Sequence, residues 1–410
     1  MLSNISHAFC RNGRILYSLT ACVTLLTCLS CALPAVDKSR LQKSVSTQKM
    51  PAPYPDSQRI SGLNLDWSTH QRHAQGSDNF QMTWAEDNNL YGAWGDGGGF
   101  GGTNNKGRVS LGVARIEGDL DNYQGYNVWG GFEAENPATF PGKSWGMIGA
   151  GTHLYMWTVP GKPVGEHHIN PYRYIELATS QDQGKTWHKS DWQFTSQENL
   201  TIPTFLNFGR DNAGVPSRMQ GYIYSYFIHP EQRDIQQAGP DGRGLIVHKP
   251  GRLYLARIAD TGLPGKKSDF EFFSGLGADG TPRWGTLREK QPVFEDANGV
   301  GWCLSASYHP ATDRVLLATE HDISHQGQLG VFESPNPWGP WSTVEYYSRE
   351  APFGAVRPGS RLAWNNNLFY LSFITKWFDG NHFTISFTGG GKGKDNDSFN
   401  IVSGRFITPE

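Results

Sequence analysis

One hairpin motif recurs along this chain, in which two short apolar or aromatic strands are joined by a tight polar turn. The copies cover residues 82–94, 147–157, 205–227, 306–320 and 361–373. Short apolar runs between Gly, Asn, Asp and Pro clusters indicate strands, and no long stretch after Ser61 has a helical period. The repeated hairpin therefore predicts an all-β fold.

The spacing of the hairpins predicts the architecture. Further strand-like runs at 109–115 and 252–257 lie between the copies, so that each unit has room for four antiparallel strands. About five such units fall within the range of known β-propellers. We therefore expect residues 59–410 to form a single five-bladed β-propeller of four-stranded antiparallel blades, because a β-sandwich needs fewer strands than this length supplies.

The composition agrees with an all-β protein and excludes some partners. The chain has 49 glycines and 14 tryptophans, and only 18% of its residues are charged. This mixture favours tight turns and packed strands over helices. A net charge of -2 offers no basic surface for nucleic acid, whereas aromatic rings on a polar protein are typical of sugar binding.

The N-terminal segment has the order of an export signal. Arg11 and Arg14 precede an apolar run over residues 15–33, which predicts a signal at 1–36. The run is nearly long enough to span a bilayer, so a retained anchor is the alternative. Residues 37–58 are polar and without periodicity, and we expect them to form a flexible tether.

The cysteines bear on export as well. Four of the five lie in the N-terminal segment, namely Cys10, Cys22, Cys28 and Cys31. Cys303 alone remains in the predicted domain, so we expect no internal disulfide there. The sequence around Cys31, with Cys22 as a rival, resembles a lipoprotein cleavage box. The protein is therefore expected in the periplasm, on the outer membrane as a lipoprotein or, after plain secretion, outside the cell.

Two aspartates flank the first hairpin. Asp78 stands just before its leading strand, and Asp96 follows its return strand. Glycosidic cleavage uses such a pair, one carboxylic acid to protonate the leaving oxygen and one carboxylate as base or nucleophile. A glycine run follows Asp96, and we interpret it as a surface where a ligand could approach the backbone closely. Each aspartate alone could equally serve a turn.

Residues near the ends of other strands are candidates for substrate binding. Glu320 and His321 end a return strand as Asp96 does, and Lys376 and Trp377 end what we interpret as the return strand of the last hairpin. Aromatic rings could stack on sugars. The predicted substrate-binding residues are Asn79, Trp84, Trp94, Glu320, His321, Lys376 and Trp377.

We predict no cofactor and no protein-bound metal. Adjacent side chains on an extended strand point to opposite faces, so His167 and His168 are a poor ligand pair. A hydrated calcium ion in a central channel remains an alternative.

Residues 180–187 have the pattern of an Asp-box, a turn found in sialidase-type propellers. Within it, Asp182 can cap backbone amides, Gly184 can adopt a positive φ, and Trp187 can pack between strands. We interpret Asp182 as structural. A sialidase-like activity is disfavoured because the chain shows no cluster of arginines at successive strand starts for a substrate carboxylate.

Several segments together resemble one known family. They are residues 77–84, 90–97, 109–116, 299–302, 338–341, 387–389 and 397–400. The sequence is similar, over nearly the whole predicted domain, to the bacterial propeller family that includes endo-D-arabinofuranosidases acting on mycobacterial arabinan. The resemblance implies a propeller in which Asp78 and Asp96 match the catalytic aspartate pair. The glycine-rich expansion after Asp96 and the insertion at 159–172 depart from it.

The sequence thus predicts a monomeric, exported glycoside hydrolase that cleaves an arabinofuranoside-type or related polysaccharide with Asp78 and Asp96. A non-catalytic propeller that binds glycans is the alternative. It would retain the aromatic residues but would not need paired acids.

Overall fold

A computed structural model of the protein describes residues 50–161, 171–238, 245–354, 368–389 and 397–409. Several sequence predictions fall outside these ranges: the export segment 1–36 with its four cysteines, the tether up to residue 49, His167, His168, and the first strand of the hairpin at 361–373.

Within the described ranges the chain is all-β, with 25 strands and one short α-helix. No helix there is both long and apolar enough to cross a membrane. The elements are β1 (Gly62–His73), β2 (Asp78–Trp84), β3 (Leu90–Gly95), β4 (Leu111–Glu117), β5 (Gln124–Trp129), β6 (Lys143–Ala150), β7 (His153–Val159), β8 (Tyr174–Ser180), β9 (His188–Lys189), β10 (Phe194–Thr195), β11 (Thr201–Asn207), β12 (Tyr222–Ile228), α1 (Gln232–Ala238), β13 (Val247–His248), β14 (Gly251–Ala259), β15 (Glu271–Leu276), β16 (Pro282–Gly285), β17 (Pro292–Asp296), β18 (Val300–Gly301), β19 (Ser305–His309), β20 (Arg314–Glu320), β21 (Leu329–Ser334), β22 (Ser342–Tyr346), β23 (Phe369–Phe373), β24 (His382–Thr388) and β25 (Phe399–Ile407).

Apart from the short separate pair β13–β18, these strands fall into five groups. In pairing order they are β2-β3-β4-β5, then β6-β7-β8 with β9 and β10 on β8, then β11-β12-β14-β15-β16 with β17 on β14, then β19-β20-β21-β22, and finally β23-β24-β25-β1. A short parallel pairing of β11 with β19 joins groups three and four. The first strands contact each other in the series β2, β6, β11, β19 and β23, and β2 contacts β24 of group five. Such a series of sheets is the organisation of a β-propeller.

The first and last strands of the described chain pair in group five. Strand β1 pairs antiparallel with β25, from Gly62 opposite Ile407 to His73 opposite Phe399. The first strand thereby completes a sheet whose other strands come from the C-terminal part of the chain. The hairpin pattern does not reveal this closure, because it joins residues more than 300 positions apart.

Large aromatic residues fill the space within and between the groups. Five tryptophans are almost completely buried: Trp94, Trp129, Trp145, Trp157 and Trp302. Cys303 is a free, buried thiol, so packing rather than a disulfide holds the described part of this domain.

The predicted tether at 37–58 extends too far toward the domain. The amide of Ser57 donates to the Thr343 carbonyl oxygen at 2.8 Å, and the Thr343 amide donates to the Pro55 carbonyl oxygen at 2.8 Å. The Ser57 hydroxyl also donates to Glu333 at 2.7 Å. Residues 50–58 therefore belong to the domain, and the sequence conceals this because their partner strand β22 lies nearly 300 residues away.

The last predicted hairpin also needs correction. Strand β23 contacts β19 and β20 of the preceding group, as the first strand of a group does, and it pairs with β24. It therefore runs as a leading strand and not as the return strand that the sequence pattern suggests. The end of β23 consequently points away from the end of β3.

The turn at Ser180–Trp187 has the predicted local contacts. Asp182 accepts hydrogen bonds from the Thr186 amide at 2.9 Å and the Thr186 hydroxyl at 2.6 Å. Gly184 has a φ of 83°, and the Trp187 ring nitrogen donates to the Gly184 carbonyl oxygen at 3.0 Å. Asp182 therefore accepts its hydrogen bonds within its own turn.

Candidate active site

The two predicted catalytic aspartates lie side by side at one end of the first group. Asp78 is the first residue of β2 and is paired with Gly95, the last residue of β3, so Asp96 follows at once. We call this the aspartate end, and the end with the β2–β3 turn the opposite end. Antiparallel pairing places both carboxylates here, although they are 18 positions apart in the chain.

Two cations contact Asp96. The Lys143 Nζ atom lies 2.8 Å from Asp96 Oδ1, and the Arg108 Nη2 atom lies 3.1 Å from it. The Lys143 side chain is only 5% exposed, whereas that of Asp96 is 34% exposed. Opposite charges at this range favour the ionised carboxylate, so Asp96 is suited to act as a base or nucleophile.

Gly95 provides the space in which these groups meet. A Cβ atom on Gly95 would lie 2.6 Å from Lys143 Nζ and 2.9 Å from Asp78 Oδ1. Any larger side chain would displace one of them. The absence of a side chain at position 95 thus leaves room for a lysine from the second group to reach Asp96 close to Asp78.

Asp78 is in a different environment from Asp96. Its Oδ1 atom is buried and has no hydrogen-bond partner among the described residues. Burial raises the pKa of Asp78 well above its ordinary value, although the charges of Lys143 and Arg108 lower it. The charges of Asp96 and Asp397 raise it further. Asp78 is therefore the carboxyl group of the pair that is suited to retain a proton and to donate it.

Asp397 brings a third carboxyl group to this end. The amide of Gly76 donates to its carbonyl oxygen at 2.6 Å, which places it beside the segment that leads into Asp78. Burial raises the pKa of Asp397 to about 6, and the negative charge of Asp96 adds to the effect. Three carboxyl groups around Lys143 and Arg108 favour retention of a proton within the cluster.

The glycine run after Asp96 does not form the open surface that the sequence suggests. A Cβ on Gly98 would lie 2.0 Å from the Lys106 carbonyl oxygen, and one on Gly99 would lie 2.3 Å from Asn127 Oδ1. These glycines allow the loop to fold against itself and against the neighbouring strand. The interpretation as a surface cleared for a ligand is therefore wrong at these two positions.

Asn127 holds this loop in place. Its side-chain amide donates to the carbonyl oxygens of Gly98, Phe100 and Phe132 at 3.1, 2.9 and 2.7 Å. Its Oδ1 accepts from the Phe100 amide at 2.9 Å. A buried side chain with all these bonds satisfied fixes the loop that carries Asp96.

Of the predicted substrate-binding residues, Asn79 and Trp94 lie near the aspartates but are buried. The Asn79 side chain is 2% exposed, and its backbone amide donates to Thr388 Oγ1 at 3.1 Å. The Trp94 ring is completely buried and stacks on Phe80. Trp94 is thus a core residue and not a stacking platform.

Glu320 and His321 lie at the end of β20 and are also buried. Glu320 accepts hydrogen bonds from the Ser324 hydroxyl at 2.9 Å and the His325 amide at 2.6 Å, both in its own loop. The His321 ring stacks on Tyr346 with centroids 3.8 Å apart. Neither side chain is exposed for contact with a substrate.

Trp84, Lys376 and Trp377 lie at the opposite end. The Trp84 ring nitrogen donates to Asn88 Oδ1 at 3.0 Å, in the β2–β3 turn. The Lys376 ammonium donates to the carbonyl oxygens of Asn88 and Gly118 at 2.7 Å each. The prediction that these three residues lie beside the aspartate pair is wrong. For Lys376 and Trp377 it assumes the opposite direction of β23. Trp84 is the last residue of β2, whereas Asp78 is the first.

Sequence reasoning missed Lys143, Arg108 and Asp397 as site residues. Lys143 precedes the apolar core of a strand that the sequence suggests begins at Met147, whereas β6 begins at Lys143 itself. Asp397 contributes to the family resemblance but is not singled out there. The sequence signal for Lys143 is a charged residue at the start of an inner strand. This signal can be recognised only when the order of strands in the sheet is known.

No metal site emerges from the described ranges. No group of three or more His, Cys, Asp or Glu side chains there is arranged to hold an ion.

Comparisons with known proteins give similar solved structures only. No family model and no curated protein matches the chain. A hydrolase described as putative, from Bacteroides ovatus, has 11% identity over 81% of this chain and 87% of its own, with a TM-score of 0.48. An alpha-L-arabinofuranosidase from Podospora anserina in complex with cellotriose has 10% identity over 86% and 94%, with a TM-score of 0.43. A GH43_1 enzyme from Xanthomonas citri has 13% identity over 82% and 91%, with a TM-score of 0.45.

Proposed function

We propose that the protein is a glycoside hydrolase in which Asp78 is the general acid and Asp96 the base or nucleophile. One observation carries the proposal: two adjacent aspartates have opposite environments, Asp78 with a buried, unpaired oxygen and Asp96 in contact with two cations. Carboxyl groups whose environments separate their protonation states are what glycosidic cleavage requires.

The chemistry follows from these environments. Asp78 donates its proton to the oxygen of the leaving sugar as the glycosidic bond breaks. Asp96 either removes a proton from the attacking water or attacks the anomeric carbon itself. Lys143 and Arg108 keep Asp96 ionised, and Asn127 keeps its loop in place.

The substrate class rests on the sequence resemblance. We propose an arabinofuranoside-type or related polysaccharide because the motifs around Asp78 and Asp96 resemble those of arabinan-cleaving enzymes. The partly exposed Asp96 allows a polymer to approach the aspartate end from outside.

A substrate screen tests the activity. Purified protein is incubated with arabinan and a panel of other polysaccharides, and new reducing ends are measured for the wild type and for Asp78→Asn. We expect product from the wild type only, with a loss of about 10² to 10⁴-fold in the variant. Binding of a glycan without product from either protein would instead support the non-catalytic alternative.

We also propose that the five strand groups are the blades of a five-bladed propeller, each with four antiparallel strands as its basis. The pairing order and the series of contacts between first strands support this count. A crystal structure tests it through the number of sheets around one axis.

Export of the protein is a further proposal from the sequence. The apolar run after Arg11 and Arg14 supports it, with Cys31 as the candidate for lipid attachment. To test this, wild-type protein and Cys31→Ser are produced in a bacterial host, and their mass and membrane association are measured. Identical values would contradict lipid attachment at Cys31 and support plain secretion.

A further inference from the structure

We infer that Lys143 is a positioning residue of the aspartate pair: its ammonium group holds Asp96 in the ionised, oriented state and balances the charge beside Asp78. This inference rests on the proposed glycoside hydrolase function. It assigns to the second strand group a residue that contributes to the difference between the first group's two aspartates.

The location of Lys143 requires an explanation of its own. It is the first residue of β6, and its side chain is 5% exposed. A buried ammonium group is costly unless a carboxylate compensates it. Its Nζ atom lies 2.8 Å from Asp96 Oδ1, and Gly95 leaves the space that it occupies beside Asp78.

The second cation differs from Lys143. Arg108 is 20% exposed and also donates to Asn104 Oδ1. Water screens its charge more than that of the buried lysine, so its influence on the pair is smaller. Lys143 is therefore the cation whose removal should change the titration of the aspartates most.

The charged and titratable groups around the pair determine the direction of the effect. Those that act on Asp78 are Lys143, Asp96, Asp397 and Arg108, and the buried Cys303 thiol also interacts with it. Removing the positive charge of Lys143 makes ionisation of Asp78, Asp96 and Asp397 less favourable. All three carboxyl groups should then hold their protons to higher pH.

A structural ion pair would behave differently. If Lys143 only tied the first strand group to the second, its removal would lower stability and leave the titration of Asp78 unchanged. The pH profile separates these roles, because it reports the protonation of the acid and the base and not the amount of folded protein.

The experiment compares Lys143→Met and Lys143→Gln with Lys143→Arg. The control is Lys189→Met, which removes a lysine that pairs with Glu176 at 2.5 Å in the second strand group. We measure kcat/KM against pH on the substrate found by the screen. In parallel, 13C NMR follows the aspartate carboxyl groups of labelled protein, assigned with Asp78→Asn and Asp96→Asn.

We expect both limbs of the pH profile of Lys143→Met and Lys143→Gln to move to higher pH, by about one unit or more. At neutral pH, kcat/KM should fall on the order of 10- to 100-fold. Lys143→Arg should keep the wild-type limbs, as should Lys189→Met. If Lys143→Met and Lys143→Gln are folded and the limbs of their pH profiles do not move, the inference is wrong.

The NMR titration separates this inference from the proposed function. If no glycan is cleaved but the carboxyl groups titrate at higher pH in Lys143→Gln, the proposed function fails and the role of Lys143 stands. If the wild type cleaves a glycan and the carboxyl titrations do not move, only the role of Lys143 is lost.

Discussion

Two strands of the molecule, β3 and β20, lead into similar turns but into different chemistry. Asp96 follows β3 and Asp322 follows β20 by two residues, with φ angles of 56° and 58°. Each of these aspartates contacts one lysine and one arginine. The contacts are Lys143 at 2.8 Å and Arg108 at 3.1 Å for Asp96, and Lys249 at 3.0 Å and Arg349 at 2.9 Å for Asp322.

The difference lies in the last residue of the strand. Gly95 ends β3 and leaves room for Lys143 next to Asp78. Glu320 ends β20, and its side chain is buried within its own loop, where Ser324 and the His325 amide donate to it. An aspartate with two cations is thus a feature of both turns. The first turn differs in the glycine that ends its strand, which leaves room for a buried lysine close to Asp78.

The largest effect should come from substituting the two aspartates that are compared, Asp96 and Asp322. We expect Asp96→Asn to lower kcat/KM by about 10² to 10⁴-fold, because the neutral amide can act neither as base nor as nucleophile. Asp322→Asn should leave kcat/KM near the wild-type value. Steady-state kinetics on the screened substrate check both.

Asp322→Asn is a matched control, since it makes the same chemical change at a site with the same kinds of ion-pair partners and nearly the same φ. Circular dichroism and thermal unfolding should show both variants folded. An equal loss of activity in the two variants would mean that the ion pairs act through stability and not through catalysis.

The buried Glu320 predicts a pH effect on stability. Burial raises the pKa of Glu320 to about 7, although hydrogen bonds from His325, Ser324 and Cys303 lower it. The folded state then binds a proton that the unfolded state releases near its ordinary pKa of 4.5. Stability from this group is present below pH 4.5 and is lost as the pH rises through about 7, by roughly 3 kcal/mol in all.

Glu320→Gln should remove this loss. Thermal unfolding between pH 4.5 and 8 should show a steeper decline for the wild type than for the variant, while catalysis is reduced less than by Asp96→Asn. Parallel declines in the two proteins would refute the prediction. A loss of activity equal to that of Asp96→Asn would restore Glu320 as a site residue.

The hairpin pattern predicted the first two strands of the first, second and fourth strand groups, because short apolar strands and polar turns are local signals. The observed strands β2 and β3, for example, contain the predicted runs at 82–84 and 90–94. The pairing of β1 with β25 and the docking of residues 50–58 on β22 were not predicted, since their partners lie hundreds of residues away.

Likewise, the site could be predicted where local sequence brings its residues together. Asp78 and Asp96 flank one hairpin, so a local rule brings them together. Lys143 comes from another strand group, and Lys376 was misplaced because the direction of β23 depends on its neighbours. Residue chemistry can be read from the sequence, whereas the end of a strand at which a side chain lies depends on tertiary structure.

A smaller effect should follow from filling the space at Gly95. In Gly95→Ala, the new methyl group would meet both Lys143 Nζ and Asp78 Oδ1, so one of the two must move. We expect kcat/KM to fall on the order of tenfold, because small displacements of catalytic groups reduce rates. Gly92→Ala on the same strand is the control, since its Cβ would meet chiefly the flexible Met82 side chain. Equal activity in both variants would show that the space at position 95 is not needed.

The smallest effect is expected at Lys376, which tests the strand direction of group five. Its ammonium donates to the carbonyl oxygens of Asn88 and Gly118 at the opposite end of the first group. Lys376→Met removes these two hydrogen bonds at a partly exposed site, so we expect a loss of stability of about 1 kcal/mol. Because the side chain is remote from Asp78 and Asp96, kcat and KM should both stay at wild-type values. An increase of KM in this variant would place Lys376 in contact with the substrate, as its position in the sequence first suggested, and would require the substrate to extend across the molecule to the opposite end.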